Sequence, residues 1–466
     1  MRKLGISAVV LSSFLALSVQ AATTPAEWVP MRWPWSDAQS LDLLAKSPIN
    51  TILLPPASPL AAAVSARGLN AMLVVRSGTD PMAAAEEVRK QKLAGLVLEG
   101  SFSPQALAKL RDSFAGSEAM VVELTSRATM HLAGNAPIIG TFQGVWPGIQ
   151  ITDDGKSKAG PSGSAWIDTN AGFLRAARAF GHTAVWLGNT PPTDQVVRGE
   201  RYLQAIGDAQ MVGARWIIAL DDHLAADLHQ RDAGALKTWA KMLELLKHYE
   251  SHPEWRNLPP GGKLAVVQDA EHGALLSGGI LDMIGVKHTP VRAVPPQKLS
   301  ADALKGTTMA VNVEPGALSP EQMEVLRGFT RGGGTLLTAP AGTDLAIPTD
   351  KNRITLDEKE LKHIDDLWHD VQSMIGRKNL GVRLFNVASM LSNLESAGNG
   401  SIYVQLVNYS EYGVENVTVH ALGKFKKAHL YMPGGIEKDL EVYDQEDGSG
   451  VDLDKVDVVA TVRFDL

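Results

Sequence analysis

The stretch AGLVLEGSFSPQALAKLRDSFAGSEAMVVELT (94–125) decides the fold. Two short apolar runs, AGLVLEG (94–100) and AMVVELT (119–125), flank SPQALAKLRDSF, a helix-like segment. Each run is apolar at successive positions instead of alternating, which is the pattern of a strand covered on both faces. Strand, helix and strand in this order belong to a parallel sheet with helices packed on it.

Working outward, the same kind of run recurs as WVPMRW (28–33), NTILLP (50–55), NAMLVV (70–75), PIIGTFQG (137–144), TAVWLGN (183–189) and ARWIIALDD (214–222). With the first pair this makes eight strands over about 220 residues, and helix-like stretches such as DPMAAAEEVRKQ lie between most of them. The pattern predicts an α/β fold, a (β/α)8 TIM-like barrel spanning 22–258. An open doubly wound sheet is the alternative, and the count of eight favours the barrel. The connection leaving strand six, TFQGVWPGIQITDDGKSKAGPSGSAWIDTN (141–170), reads as neither strand nor helix. Long connections of this kind are usually functional or disordered, and two tryptophans argue against disorder. A helix returns at AGFLRAARAF, so the segment is an insertion at the end of the barrel where active sites are built.

The chain has 466 residues, 45% of them hydrophobic and 20% charged, with no cysteine and a net charge of −7. Nothing basic marks a nucleic-acid partner. It opens with MRKLGISAVVLSSFLALSVQAATTP: a basic start, an apolar run and a small-residue end at Ala21. That is the pattern of a cleaved signal peptide over 1–21, and it predicts a periplasmic or secreted protein. The apolar run is short for a membrane span, and no later segment approaches ~20 apolar residues.

The Pro- and Gly-rich HYESHPEWRNLPPGG (248–262) marks a boundary. Beyond it KLAVVQDA, TTMAVNV and TLLTAP read as strands and SPEQMEVLRGFTRGG as a helix, with Ser319 as N-cap and the glycines as terminator. These form a small α/β domain over 263–345. A linker with the acidic helix LDEKELKHIDDLWHDVQSMIG covers 346–379. From 380 to 466, SIYVQLVNYS, VENVTVHAL, KKAHLYMP and KVDVVATVRFDL alternate apolar and polar residues, as in a small β-sandwich.

A polar residue ending a barrel strand points into the shared mouth. That filter selects Glu99, Glu123, Gln143, Asn189 and the pair Asp221–Asp222, with Asp168 and Asn170 on the long loop. Trp33 stands after strand one, and Trp146 and Trp166 stand on the loop. Two carboxyls in one mouth are what glycoside cleavage requires, one giving a proton and one stabilising the oxocarbenium-like centre. Tryptophan faces suit sugar rings, and amides suit hydroxyls. Glu99 and Glu123 are candidates for the pair, with Asp168, Asp221 and Asp222 as further carboxylates. One of Asp221 and Asp222 also fits a helix N-cap. His223 and His229 fall on different helix faces, so no metal is expected. The glycine-rich pieces lack the strand–GxGxxG–helix arrangement, so no dinucleotide or other cofactor is expected either.

The order barrel, small α/β domain, β-domain resembles exported bacterial barrel glycosidases of the beta-galactosidase type. The residues that carry this are KLAVVQDA (263–270), LSPEQMEVLRGFTRGGGTLLT (318–338) and IYVQLVNYSEYGVENVTVHALGKFKKAHLYMPGG (402–435). The resemblance implies an amidotransferase-like middle domain used for association of copies through 263–345. Lacking cysteine, that domain has no amidotransferase nucleophile. It also implies an acid/base glutamate on strand four, matched by Glu99, and a nucleophile glutamate on strand seven, where this chain has Asn189. Carboxyls on strands four and five, as Glu99 and Glu123, resemble the alpha-amylase-type arrangement instead. The expected function is therefore a secreted glycoside hydrolase with a carbohydrate ligand, the alternative being a glycan-binding or scaffold protein on a barrel that has lost catalysis.

Overall fold

The computed structural model describes residues 24–149, 167–181, 184–268, 281–282, 284–285, 288–313, 315–338, 358–445 and 447–466. The expected signal peptide and Trp166 lie outside the described residues.

Six strands come first: β1 (Pro30–Arg32), β2 (Thr51–Leu54), β3 (Asn70–Arg76), β4 (Gly95–Glu99), β5 (Met120–Thr125) and β6 (Ile138–Thr141). A two-stranded antiparallel ribbon follows, β7 (Gly148–Ile149) and β8 (Ile167–Asp168), then β9 (Ala184–Leu187) and β10 (Arg215–Trp216). The ribbon apart, these strands form one parallel sheet of eight in the order β1-β2-β3-β4-β5-β6-β9-β10. The ends meet. The Arg32 amide donates to the Ile218 carbonyl at 2.8 Å and the Ile218 amide to Pro30 at 3.1 Å, which leaves no free edge and excludes the open sheet.

Period two along each strand sorts the side chains into two layers. Trp28, Leu53, Met72, Val97, Val122, Leu124, Ile138, Trp186 and Ile217 fill the barrel interior. The alternate residues, among them Leu73, Val75, Leu96 and Leu98, pack outward against the helices. Gly95 opens β4 at φ +151°, and a Cβ there would stand 2.0 Å from the Met120 carbonyl oxygen of β5. Gly95→Ala must therefore push two paired strands apart. The expected cost is about 3 kcal/mol or more, combining backbone strain and overpacking, measured by urea unfolding. Stability within about 0.5 kcal/mol of the parent would show that the strands can give.

The second sheet has four parallel strands, Leu264–Val267, Val291–Val294, Met309–Asn312 and Thr335–Thr338. Their order is second, first, third, fourth, the doubly wound order of flavodoxin-like sheets. Ser319 caps the helix Pro320–Arg331 in a reciprocal box with Gln322, and Gly333 at φ +92° turns the chain out of it. After the helix Glu358–Ile375 come two antiparallel sheets of four and five strands. A core that includes Val382, Val404, Leu406, Val419, Val451, Val462 and Phe464 makes them a sandwich.

Buried polar contacts fasten these layers to the barrel. Asp208, on the helix Gly199–Gln210, accepts hydrogen bonds from Thr169, from the Asn170 amide (2.9 Å) and side chain (2.8 Å), and from the Tyr409 hydroxyl (2.5 Å) of the sandwich. Arg175 donates to the Ser392 carbonyl at 3.0 Å, Gln204 to the Ser410 carbonyl at 2.9 Å and Asn393 to Met211 at 2.8 Å. The Gly172 amide donates to Asp282 at 2.6 Å, joining the helix Ala171–Arg178 to the second domain. Among the described residues, no helix is long and apolar enough to cross a membrane.

Candidate functional site

The inward row of each strand continues past the core to the C-terminal rim. On β1 it runs from Trp28 to Arg32, on β3 from Met72 through Val74 to Arg76, and on β4 from Val97 to Glu99. The three rim residues meet. Arg32 Nη2 stands 3.0 Å from Glu99 Oε2, and Arg76 Nε stands 3.8 Å from the same oxygen. Arg32 and Glu99 are mostly enclosed, each side chain 16% exposed, whereas Arg76 is 71% exposed. Beside them lies a cavity of about 450 Å³ over β1, β2 and β3. Arg32 and Arg76 line it, with Trp33, Leu53, Pro55, Pro56, Val74 and Thr79. Trp33 is held by its indole N–H, which donates to Ser40 at 3.0 Å, and by edge-on packing against Trp35.

A rim pocket at the C-terminal ends of a closed parallel barrel is where barrel enzymes work, and most of the chain superposes on solved barrel structures. An alpha-L-fucosidase isoenzyme from Paenibacillus thiaminolyticus superposes with a TM-score of 0.62 at 10% identity, covering 94% of this chain and 99% of that one. A GH42 beta-galactosidase from G. stearothermophilus superposes with a TM-score of 0.54 at 11% identity, covering 94% and 98%. The chain shares the overall fold of these two enzymes. No family model and no curated protein sequence matches it.

On that fold, Glu99 ends the fourth barrel strand, and the seventh, β9, runs out at Leu187–Gly188–Asn189 with no carboxylate. Asn189 donates its side-chain amide to the Gly144 carbonyl at 2.6 Å, tying strand seven to the loop that follows strand six. Glu123 does not join Glu99. Val122 and Leu124 face the barrel interior, so Glu123 between them faces the helices, where Arg111 pairs with it at 3.0 Å. The expected carboxylate pair on strands four and five is thus split across the two faces of the sheet.

The other carboxylates take structural positions. Asp221 is buried and caps the helix Asp222–His229, accepting from the His223 and Leu224 amides at 3.0 and 3.1 Å and from the Tyr202 hydroxyl at 2.7 Å. Asp222 is exposed in the first turn of that helix. Asp168 sits on the ribbon opposite Gly148, where its charge acts on Arg201. Burial lowers the pKa of Arg201, and Glu411 followed by Asp168 opposes that effect.

The remaining loop residues form a lock. Asn170 is fully buried; it accepts from Arg127 and from the Val145 amide at 2.8 Å, and donates to the Val145 carbonyl at 2.9 Å. Gln143 accepts from the Arg127 amide at 2.9 Å. The Arg127 guanidinium lies 4.3 Å over the Phe173 ring; burial pulls its pKa down to about 10. Trp146 packs edge-on against Trp216 and Tyr202, 5.0 and 5.4 Å between ring centres, as part of the wall under the loop. Of the expected ligand-facing residues, Trp33 borders the cavity but is itself buried in the core, and Glu99 is paired with Arg32, with Arg76 further off at 3.8 Å.

Arg32 and Arg76 were not among the residues expected from the sequence, although both end strands at inward positions. Acids, amides and aromatic rings at strand ends mark sugar chemistry, whereas a guanidinium there is as readily the structural partner of a carboxylate. Among the described residues, no group of three or more His, Asp or Glu side chains is arranged to hold a metal ion.

Proposed function

We propose that this chain recognises a carbohydrate at the C-terminal mouth of its barrel, and that it does so without the paired-carboxylate cleavage its fold usually hosts. The observation that carries this is the separation of Glu99 from Glu123. Glu99 is clamped by Arg32 and Arg76 inside the mouth, while Glu123 is tied to Arg111 on the helix side. Hydrolysis needs two carboxyls about 5–9.5 Å apart across one glycosidic bond, and opposite faces of a sheet do not offer that arrangement. The cavity supplies what recognition needs: an apolar wall with Pro55 and Pro56, a hydroxyl on Thr79 and guanidinium donors at one side. Export by the N-terminal segment would set this site among envelope or extracellular polysaccharides. Association through residues 263–345 belongs to the same proposal, and a solution mass equal to one chain would remove it.

Hydrolysis is the second reading. It is favoured by near-complete coverage of two glycoside hydrolases and by Glu99 standing at the end of strand four. One assay separates the two. The purified chain is titrated with a panel of oligosaccharides and aryl glycosides, and both binding and product release are followed. Binding without turnover is expected, and Glu123→Gln should leave binding unchanged and cost no more than about 1 kcal/mol of stability, as for a part-exposed pair. Turnover that Glu99→Gln and Glu123→Gln each abolish would establish the hydrolase and end the recognition reading.

A further inference from the structure

The charges of the mouth do not cancel. One carboxylate, Glu99, lies between two guanidiniums, Arg32 at 3.0 Å and Arg76 at 3.8 Å. The inner pair, Arg32 with Glu99, is enclosed and neutral as a unit. The outer guanidinium, Arg76, is 71% exposed, and its contact to Glu99 is longer than a hydrogen bond. Residues beside it on the cavity wall are apolar or, at Thr79, a hydroxyl. Arg76 is therefore only partly neutralised by Glu99, and its donor fork stands beside an apolar-walled cavity of about 450 Å³, a geometry that suits an anion.

We infer that the carbohydrate taken at this mouth bears an anionic substituent, a uronate carboxylate or a sulfate ester, seated against Arg76, with the sugar ring against Pro55 and Pro56. This rests on the mouth being the carbohydrate site. Arg76 is the specificity-determining contact, because Arg32 already spends its charge on Glu99. A neutral sugar would leave the guanidinium paired only with water and gain nothing from it.

The test is calorimetric titration of the purified chain with matched oligosaccharides on gluco-, galacto- and manno- backbones, each as neutral, uronate and sulfated forms. At least one acidic form should bind about tenfold or more tighter than its neutral partner, and this preference should shrink as salt is raised. Which acidic form leads tells carboxylate from sulfate. Arg76→Gln should bring acidic and neutral forms within about twofold, and Arg76→Lys should keep part of the preference. Arg327→Gln, an exposed change on the distant helix Pro320–Arg331, should keep all of it. An unfolding midpoint measured on each variant separates lost recognition from lost structure. Equal binding of acidic and neutral forms would overturn the inference and leave carbohydrate recognition standing. No binding of any form would overturn both. An acidic preference that survives Arg76→Gln would place the anion elsewhere and also overturn it.

Discussion

Raising the pH from 6.5 to 8 should destabilise this protein by on the order of 3–4 kcal/mol, a fall in the unfolding midpoint of several degrees. The reason lies where barrel, second domain and sandwich meet. Burial pushes the Asp282 carboxyl up to about 8, against the Gly172 amide that holds it, with Asp208 adding to the rise and Arg175 and Arg127 opposing it. Burial likewise lifts Glu395 to about 8, against Gln405, Arg178, Arg175 and Asn393. Asp208 is raised by the same cause, opposed by its hydrogen bonds from Thr169, Tyr409 and Asn170.

Unfolded, such carboxyls ionise near pH 4. Between that value and 8 the native state holds more protons than the unfolded chain, so stability falls as pH rises. The contribution is complete below about pH 4 and is lost as pH climbs through about 8. His248 works the other way: burial lowers it to about 4, which adds stability as pH rises between 4 and 6.5. Above 6.5 only about 0.4 kcal/mol of that contribution is still to come, which is why the window from 6.5 to 8 is informative. Glu395→Gln should remove about half of the fall there, the rest being carried by Asp282. An unfolding midpoint that does not move between pH 6.5 and 8 would contradict protonated carboxyls at the junction.

Asp208→Ala should cost about 3–5 kcal/mol, the largest effect of any single side-chain change considered. Four donors converge on this fully buried carboxyl, from Thr169, Asn170 (backbone and side chain) and Tyr409. Alanine takes the acceptor from the buried Asn170 backbone amide and from both hydroxyls, although Asn170's side chain keeps the Val145 carbonyl and the Thr169 and Tyr409 hydroxyls stand 3.5 Å apart; each lost partner costs about 1–3 kcal/mol where no other is found. Asp208→Asn should cost less, because its oxygen still accepts. Tyr409 and Asn170 belong to different domains, so the loss should also uncouple the sandwich from the barrel, seen as two unfolding transitions in calorimetry instead of one. A change below about 1 kcal/mol with one transition would mean that the fastening lies elsewhere.

The architecture was legible because it is written in local patterns. All eight apolar runs form barrel strands, the Ser319 box caps its helix, and alternation from 380 onward gives the sandwich. The facing of individual residues was not legible, and for a physical reason. A strand buried on both sides has no polar face, so LVLE and VVEL look alike although Glu99 points into the barrel and Glu123 points out. Only the register with neighbouring strands, and hence Val97 against Val122, decides which parity is inward.

The junction was hidden for a different reason. Asp208 and Tyr409 are 201 residues apart, and nothing near either one in the chain announces the other. The tryptophans of the long loop were read as a sugar platform because large rings on loops commonly meet ligand. Trp146 instead fills the gap between Trp216 and Tyr202. Arg32 and Arg76 could have been found by asking the inward-parity question of every strand end, whatever the charge.

The most direct measurement is a crystal structure of the protein soaked with the tightest-binding oligosaccharide from the titrations. Sugar density should lie in the mouth over β1, β2 and β3, within hydrogen-bond reach of Arg76 and against Pro55 and Pro56, with Glu99 still paired to Arg32. Density confined to any other cleft, such as the one between Arg178, Arg256 and Arg292, would contradict the account.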